Sequence, residues 1–92
     1  MDDRYAKMRE LLANETYPLL YTHKLIGSNT PQFEAGLQAF EQGVPGIQRV
    51  GVRLSSGDAH MAVTYNYQAA DVDSLIAMLE ASSKIPGLKM IL

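Results

Sequence analysis

Two apolar-alternating runs, Gln48 to Leu54 and His60 to Gln68, joined by Ser55-Ser56-Gly57-Asp58-Ala59, constrain this chain more than any other stretch. In the second run Met61, Val63, Tyr65 and Tyr67 fall on one face, with His60, Ala62, Thr64, Asn66 and Gln68 on the other. That period of two belongs to a half-buried strand, and helices do not show it. In the first run Val50, Val52 and Leu54 alternate with Arg49, Gly51 and Arg53 in the same way. Ser-Ser-Gly-Asp between them is turn chemistry, so the stretch reads as a β-hairpin with one apolar and one polar face. A hairpin of this kind needs a hydrophobic layer to lie against, and the rest of the chain must supply it.

The flanking segments supply two helices and two further strands. Thr30 or Asn29 is placed to cap a helix opened by Pro31, along which Phe33, Leu37, Phe40 and Val44 form one stripe that ends at Gly43 and Pro45-Gly46. Asp71 caps a second helix that carries Val72, Leu75, Ile76 and Leu79 and closes at Ser82, Ser83 and Lys84. Leu19 to Ile26 reads as a strand with Tyr21, His23 and Leu25 inward and Thr22, Lys24 and Ile26 outward. Leu88-Lys89-Met90-Ile91-Leu92 reads as a last strand, with Lys89 and Ile91 outward. Ahead of these, Tyr5, Met8, Leu11 and Leu12 predict a short amphipathic helix over 2–13, with Asp2 and Asp3 as caps. Residues 1–16 are therefore a leader helix and linker, and 17–92 a domain of order β-α-β-β-α-β. Two helices on one face of an antiparallel sheet make this an α+β, ferredoxin-like two-layer sandwich.

Several residues carry a resemblance as well. Tyr17-Pro18 before the first strand, His23-Lys24-Leu25-Ile26-Gly27 at its end, Ser55-Ser56-Gly57 in the hairpin and Leu88-Lys89-Met90-Ile91-Leu92 resemble the YbeD-like family of small bacterial proteins, over about residues 17–92. What that resemblance implies is a ferredoxin-like fold similar to ACT-type regulatory domains, with no activity to transfer. His60 stands where members tend to have an aromatic residue.

Composition narrows the function by exclusion. A chain of 92 residues without cysteine can form neither a disulfide nor a thiolate metal site, and neither a cofactor nor a metal ligand set is expected. The net charge of -2 is not that of a general nucleic-acid binder, and no apolar run is long enough to span a membrane. The first residues lack the apolar segment of a signal peptide, so a cytoplasmic location is the expectation. No arginine stands near Gly27-Ser28-Asn29-Thr30, which argues against acylphosphatase chemistry. Ser56, Asp58 and His60 are too close along one hairpin to line up as nucleophile, base and orienting acid. Tyr65 and Tyr67 have the spacing of an RNA-stacking platform but share the face of Met61 and Val63, so they belong to the core. His23, on the apolar side of its strand, reads as a neutral, hydrogen-bonded core histidine. An enzyme is not expected.

What remains is the outward face of the sheet. On the alternation above, Lys24, Arg49, Arg53 and Lys89 lie there, four of the eight Lys and Arg, and none of the ten Asp and Glu does. His60 adds a group able to change charge near neutrality. Such segregation points to an anionic partner. Two readings share it: a regulatory or adaptor module contacting protein, itself or another, through this face or a strand edge, and an ACT-like sensor of a small anionic metabolite. Edges are expected at the strands ending in Leu54 and Leu92, and with them a homodimer.

Overall fold

The structure is a computed structural model that describes residues 5–92. The proposed caps Asp2 and Asp3 lie outside the described residues. From there the chain runs α1 (Ala6–Leu12), β1 (Leu19–Ser28), α2 (Pro31–Gly43), β2 (Gln48–Leu54), β3 (His60–Ala69), α3 (Val72–Ser82) and β4 (Leu88–Ile91), with a single 3-10 turn, Ser56–Asp58, inside the hairpin. The four strands form one antiparallel sheet in the order β2-β3-β1-β4, which with this element order is the ferredoxin-like α+β arrangement. β2 and β4 are its edges.

The centre of the sheet is the ten-residue pairing of β1 with β3, from Leu19 opposite Ala69 to Ser28 opposite His60, with no slip. Opposed residues share a face, so His23 with Tyr65 and Leu25 with Val63 point to the helices, and all four are fully buried. Thr22 with Asn66, Lys24 with Thr64 and Ile26 with Ala62 point the other way.

Both helices start where the side chains dictate. The Phe33 N–H donates to Thr30 Oγ1 at 3.2 Å, with Pro31 in the first turn, and the Ser74 N–H donates to the Asp71 carboxylate at 2.8 Å. That second bond also holds the Asp71 carboxyl below its usual range. From these caps the stripes of Phe33, Leu37 and Phe40 on α2, and of Leu75, Ile76 and Leu79 on α3, fall into the core as expected. Each such side chain contributes about 1.5–3 kcal/mol on leaving water, which is what holds the two layers together. Their approach is close enough at Gly27 that a Cβ there would lie 2.4 Å from the Phe33 ring. Gly27 is thus required by contact with α2.

Among the described residues α1 runs from Ala6 to Leu12 and packs on α3, where Arg9 pairs with Asp73. The Tyr17 hydroxyl donates to the Leu12 carbonyl at 2.8 Å and ties the linker to the end of α1. Met8 and Leu11 stay exposed. α1 therefore joins the helix layer, and among the described residues no helix covers the opposite side of the sheet.

His23 is fully buried, with its Nε2 2.9 Å from Ser82 Oγ on α3. Ser82 Oγ already donates to the Leu79 carbonyl at 2.8 Å, so it accepts from His23, which fixes the proton on Nε2. Nδ1 then lies buried with no partner. Burial pushes the His23 pKa below its usual 6.5. The unfolded chain takes up this proton before the folded one does, so the stabilisation is complete above the usual value of 6.5 and is lost as pH falls toward the lowered folded value. Urea melts at descending pH should show a slope, limited to about 1.4 kcal/mol per pH unit, that His23→Leu removes. Equal slopes in the two proteins would mean that His23 protonates as readily folded as unfolded.

Candidate functional site

The strand that decides the site is β2. Arg49 opposes Tyr65, yet the next regular pair is Gly51 opposite Thr64, so Val50 is an extra residue in a bulge. A bulge breaks the period of two. Arg49 therefore faces the helices with Tyr65, while Gly51 and Arg53 face outward with Thr64 and Ala62. The expected placement of Arg49 on the open face is corrected accordingly. Its Nε donates to Glu41 Oε2 at 2.6 Å, and its two terminal nitrogens donate to both Glu34 oxygens at 2.9 Å. The bidentate Glu34 bond raises the Arg49 pKa further above its usual value, and in return Arg49 holds the Glu34 carboxyl below the ordinary range.

The same cluster reaches the core. The Tyr65 hydroxyl donates to Glu41 Oε2 at 2.6 Å, and its ring meets Phe40 edge-on at 5.3 Å. Burial first, and the Glu41 carboxylate second, push the Tyr65 hydroxyl well above its usual range. Tyr65 is thus inside, as the sequence predicts, and offers no surface to a nucleic-acid base.

β4 departs from the expected alternation in the same way. Ile26 opposes Met90 but Gly27 opposes Leu88, so Lys89 is the bulged residue. Met90 takes the outward place beside Ile26, and Ile91 opposes Leu25 on the helix side; the outward placement of Ile91 is corrected. Lys89 is exposed at this edge.

Lys24, Arg53 and His60 are the predicted residues that the structure brings together. Arg53 and His60, with Ile26, Ser55, Leu54 and Ala62, line a depression of about 160 Å³. Beside it, Lys24, Gly51, Arg53, Thr64 and Leu92 line a larger one of about 380 Å³. Arg53 and Ala62 are common to both, so the two form one continuous hollow across the face. Thr22 Oγ1 donates to Asn66 Oδ1 at 3.1 Å farther along the same face. Leu92 was not foreseen; it arrives because its N–H donates to the Lys24 carbonyl at 2.9 Å and carries the chain end over β1. No Asp or Glu occurs in any of the four strands.

Other places hold less chemistry. The hairpin polar groups bond within the turn: the His60 N–H donates to Ser55 Oγ at 3.0 Å and the Asp58 N–H to the Ser55 carbonyl at 2.9 Å. A hollow of about 490 Å³ between α2 and α3 is lined by small and apolar residues, among them Ala35, Gly36, Ala39, Ala81 and Ile85, with Lys84 its one charge. Among the described residues no group of three or more His, Cys, Asp and Glu could hold a metal ion, and no helix is long and apolar enough to cross a membrane.

Fold and site together define a small ferredoxin-like sandwich whose bare sheet face is basic and apolar. The chain belongs to the family described as protein of unknown function (DUF493), which it matches over residues 13–92. Comparison with curated proteins found no match.

The two arginines of β2 are expected to separate in denaturant melts. Arg49→Gln strands two half-exposed carboxylates and should cost about 1–2 kcal/mol, whereas Arg53→Gln should stay within about 0.5 kcal/mol. Tyr65→Ala should cost more than either, about 3–5 kcal/mol. Equal losses for the two arginines would contradict the bulge.

Proposed function

We propose that this protein is a non-catalytic regulatory or adaptor module that binds an acidic protein segment across its open sheet face. The observation that carries the reading is the joining of Lys24, Arg53 and His60 along one hollow on a sheet whose strands contain no carboxylate. An anionic chain lying there meets cations at its rim and Ile26, Ala62 and Leu92 beneath it. It meets no repulsion from the strands, whereas the helix layer, rich in Asp and Glu, would repel it. The side-chain polar groups of the face are cations, hydroxyls and amides, with no Asp, Glu or Cys in the strands to pair with His60; that composition suits binding better than proton transfer.

A second reading follows from the YbeD-like resemblance, whose ACT-like members would make the face a sensor of a small anionic metabolite. Enclosure weighs against it. Sites that enclose a small molecule hold roughly 300–1,000 Å³ and cover most of the ligand. The two depressions here, about 160 and 380 Å³, both lie open to solvent and would leave much of such a ligand uncovered. An extended segment needs no such enclosure.

Amide NMR tests both readings with three probes: a short Asp- and Glu-rich peptide carrying one aromatic residue, succinate and pyrophosphate. The peptide should shift Lys24, Gly51, Arg53, Ala62 and Thr64, and the pair Lys24→Glu with Arg53→Glu should weaken it at least tenfold while leaving the remaining spectrum in place. Raising the salt should weaken it too, because both cations are exposed. Saturable shifts with succinate or pyrophosphate alone would favour the sensor. Shifts confined to α1, α2 and α3 would sink both.

A further inference from the structure

The β2 edge carries a row of exposed aliphatic side chains beside unpaired backbone. Val50, Val52 and Leu54 are 53%, 51% and 46% exposed, and β2 pairs on one side only. An apolar edge of this kind is a template for another strand. β4, the other edge, has four residues against seven in β2, and is the shorter and poorer template.

The hydrogen-bonding phase of β2 is known from the hairpin. The Ser55 N–H donates to the His60 carbonyl at 2.9 Å, and antiparallel alternation then turns the backbone groups of Arg53 and Gly51 toward β3. Those of Val52 and Leu54 point to solvent. We infer that β2 pairs antiparallel with β2 of a second copy about a two-fold axis at Val52, joining two sheets into one of eight strands.

The register follows from the side chains. An axis at Arg53 would set two arginines directly opposite each other, which is unfavourable. With the axis at Gly51, Arg53 would oppose Arg49, whose guanidinium is committed to Glu34 and Glu41 on the other face. The Val52 axis places Val52 against Val52, apolar with apolar, and Arg53 against Gly51, with Leu54 beside the bulge at Val50. Its backbone phase also fits, since Val52 offers its N–H and carbonyl outward to receive the same pair from its copy.

One consequence reaches the site, and it rests on the open-face reading given above. Gly51 has no side chain, and a Cβ there would find only Thr64, at 3.7 Å. Arg53 of the second copy, opposite Gly51 on the outward face, would stand beside the hollow lined by Lys24, Thr64 and Leu92. Each hollow then receives an arginine from both copies. The acidic segment it binds is correspondingly long or doubly charged.

Light scattering from 5 to 500 µM should show a dimer. Val52→Lys and Val52→Glu alone should each be monomers with unchanged circular dichroism, because like charges would meet on the axis, and an equimolar mixture should restore the dimer. The chain has no cysteine, so Val52→Cys can be oxidised cleanly with copper phenanthroline. It should cross-link at least tenfold faster than Leu20→Cys, which is exposed on the open face away from β2. The cysteine comparison decides the matter even if a charged variant fails to fold. Wild-type monomers at 500 µM, a Val52→Lys dimer, or equal cross-linking of the two cysteine variants would overturn the pairing. A dimer that ignores the acidic peptide would sink the open-face reading and leave the pairing standing; peptide binding by a wild-type monomer would do the reverse.

Discussion

Tyr65 is the residue through which three elements hold one another. Its ring packs edge-on against Phe40 of α2, and its hydroxyl bonds Glu41 one position farther along that helix. Glu41 in turn accepts from Arg49 of β2, which also clasps Glu34. A central strand, the helix above it and an edge strand are thus fixed by one buried ring and one ionic cluster. Such a cluster adds modest stability where its carboxylates are partly exposed, but it discriminates strongly between registers. Sliding β2 by one residue would bring Gln48 or Val50 to Glu41 and strand both acids.

That cluster explains why the bulge sits at Val50. If β2 kept its period of two through Gly51, Arg49 and Arg53 would share a face. One of them would then be wrong, either Arg49 away from its carboxylates or Arg53 under the helices. The extra residue lets Arg49 turn inward and Arg53 outward within one strand. The charge of the open face is therefore a by-product of how the helix layer is pinned. It is Lys24 and Arg53, with His60 alongside, that reach the hollow.

The parts legible in the sequence are those that depend on local chemistry or on uninterrupted periods. Thr30 and Asp71 announce their helices because a hydroxyl or carboxylate there satisfies an otherwise unpaired N–H. Strands β1 and β3 are regular throughout, and their faces were readable residue by residue, down to the buried His23. Counting by twos fails at an edge, where a bulge adds a residue without changing the composition. Gly51 was the available cue for β2, since an isolated glycine in a strand often accompanies a bulge. β4 offers no such cue before Met90, and Leu92 comes to the face through a backbone bond that no side chain advertises. Apolar alternation in β2 also reads as core, yet an edge strand lies at the margin of the helix layer and keeps Val52 and Leu54 half in water.

Magnitudes say how such a face would have to work. An exposed ion pair contributes roughly 0.2–1 kcal/mol, so Lys24 and Arg53 together supply at most about 2 kcal/mol. Micromolar affinity needs about 8 kcal/mol beyond the entropic cost of association. The remainder must come from apolar area, at about 25 cal/mol per Å² removed from water, and Ile26, Ala62 and Leu92 in one hollow offer little of it. Doubling the face across β2 changes the arithmetic, because a ligand spanning the axis engages both hollows while losing its free motion only once. On the proposed reading, a single copy would steer an acidic partner toward itself, and holding one would require more surface than it has. The apolar edge and the basic hollow are therefore two halves of one requirement, with Arg53 standing where they meet.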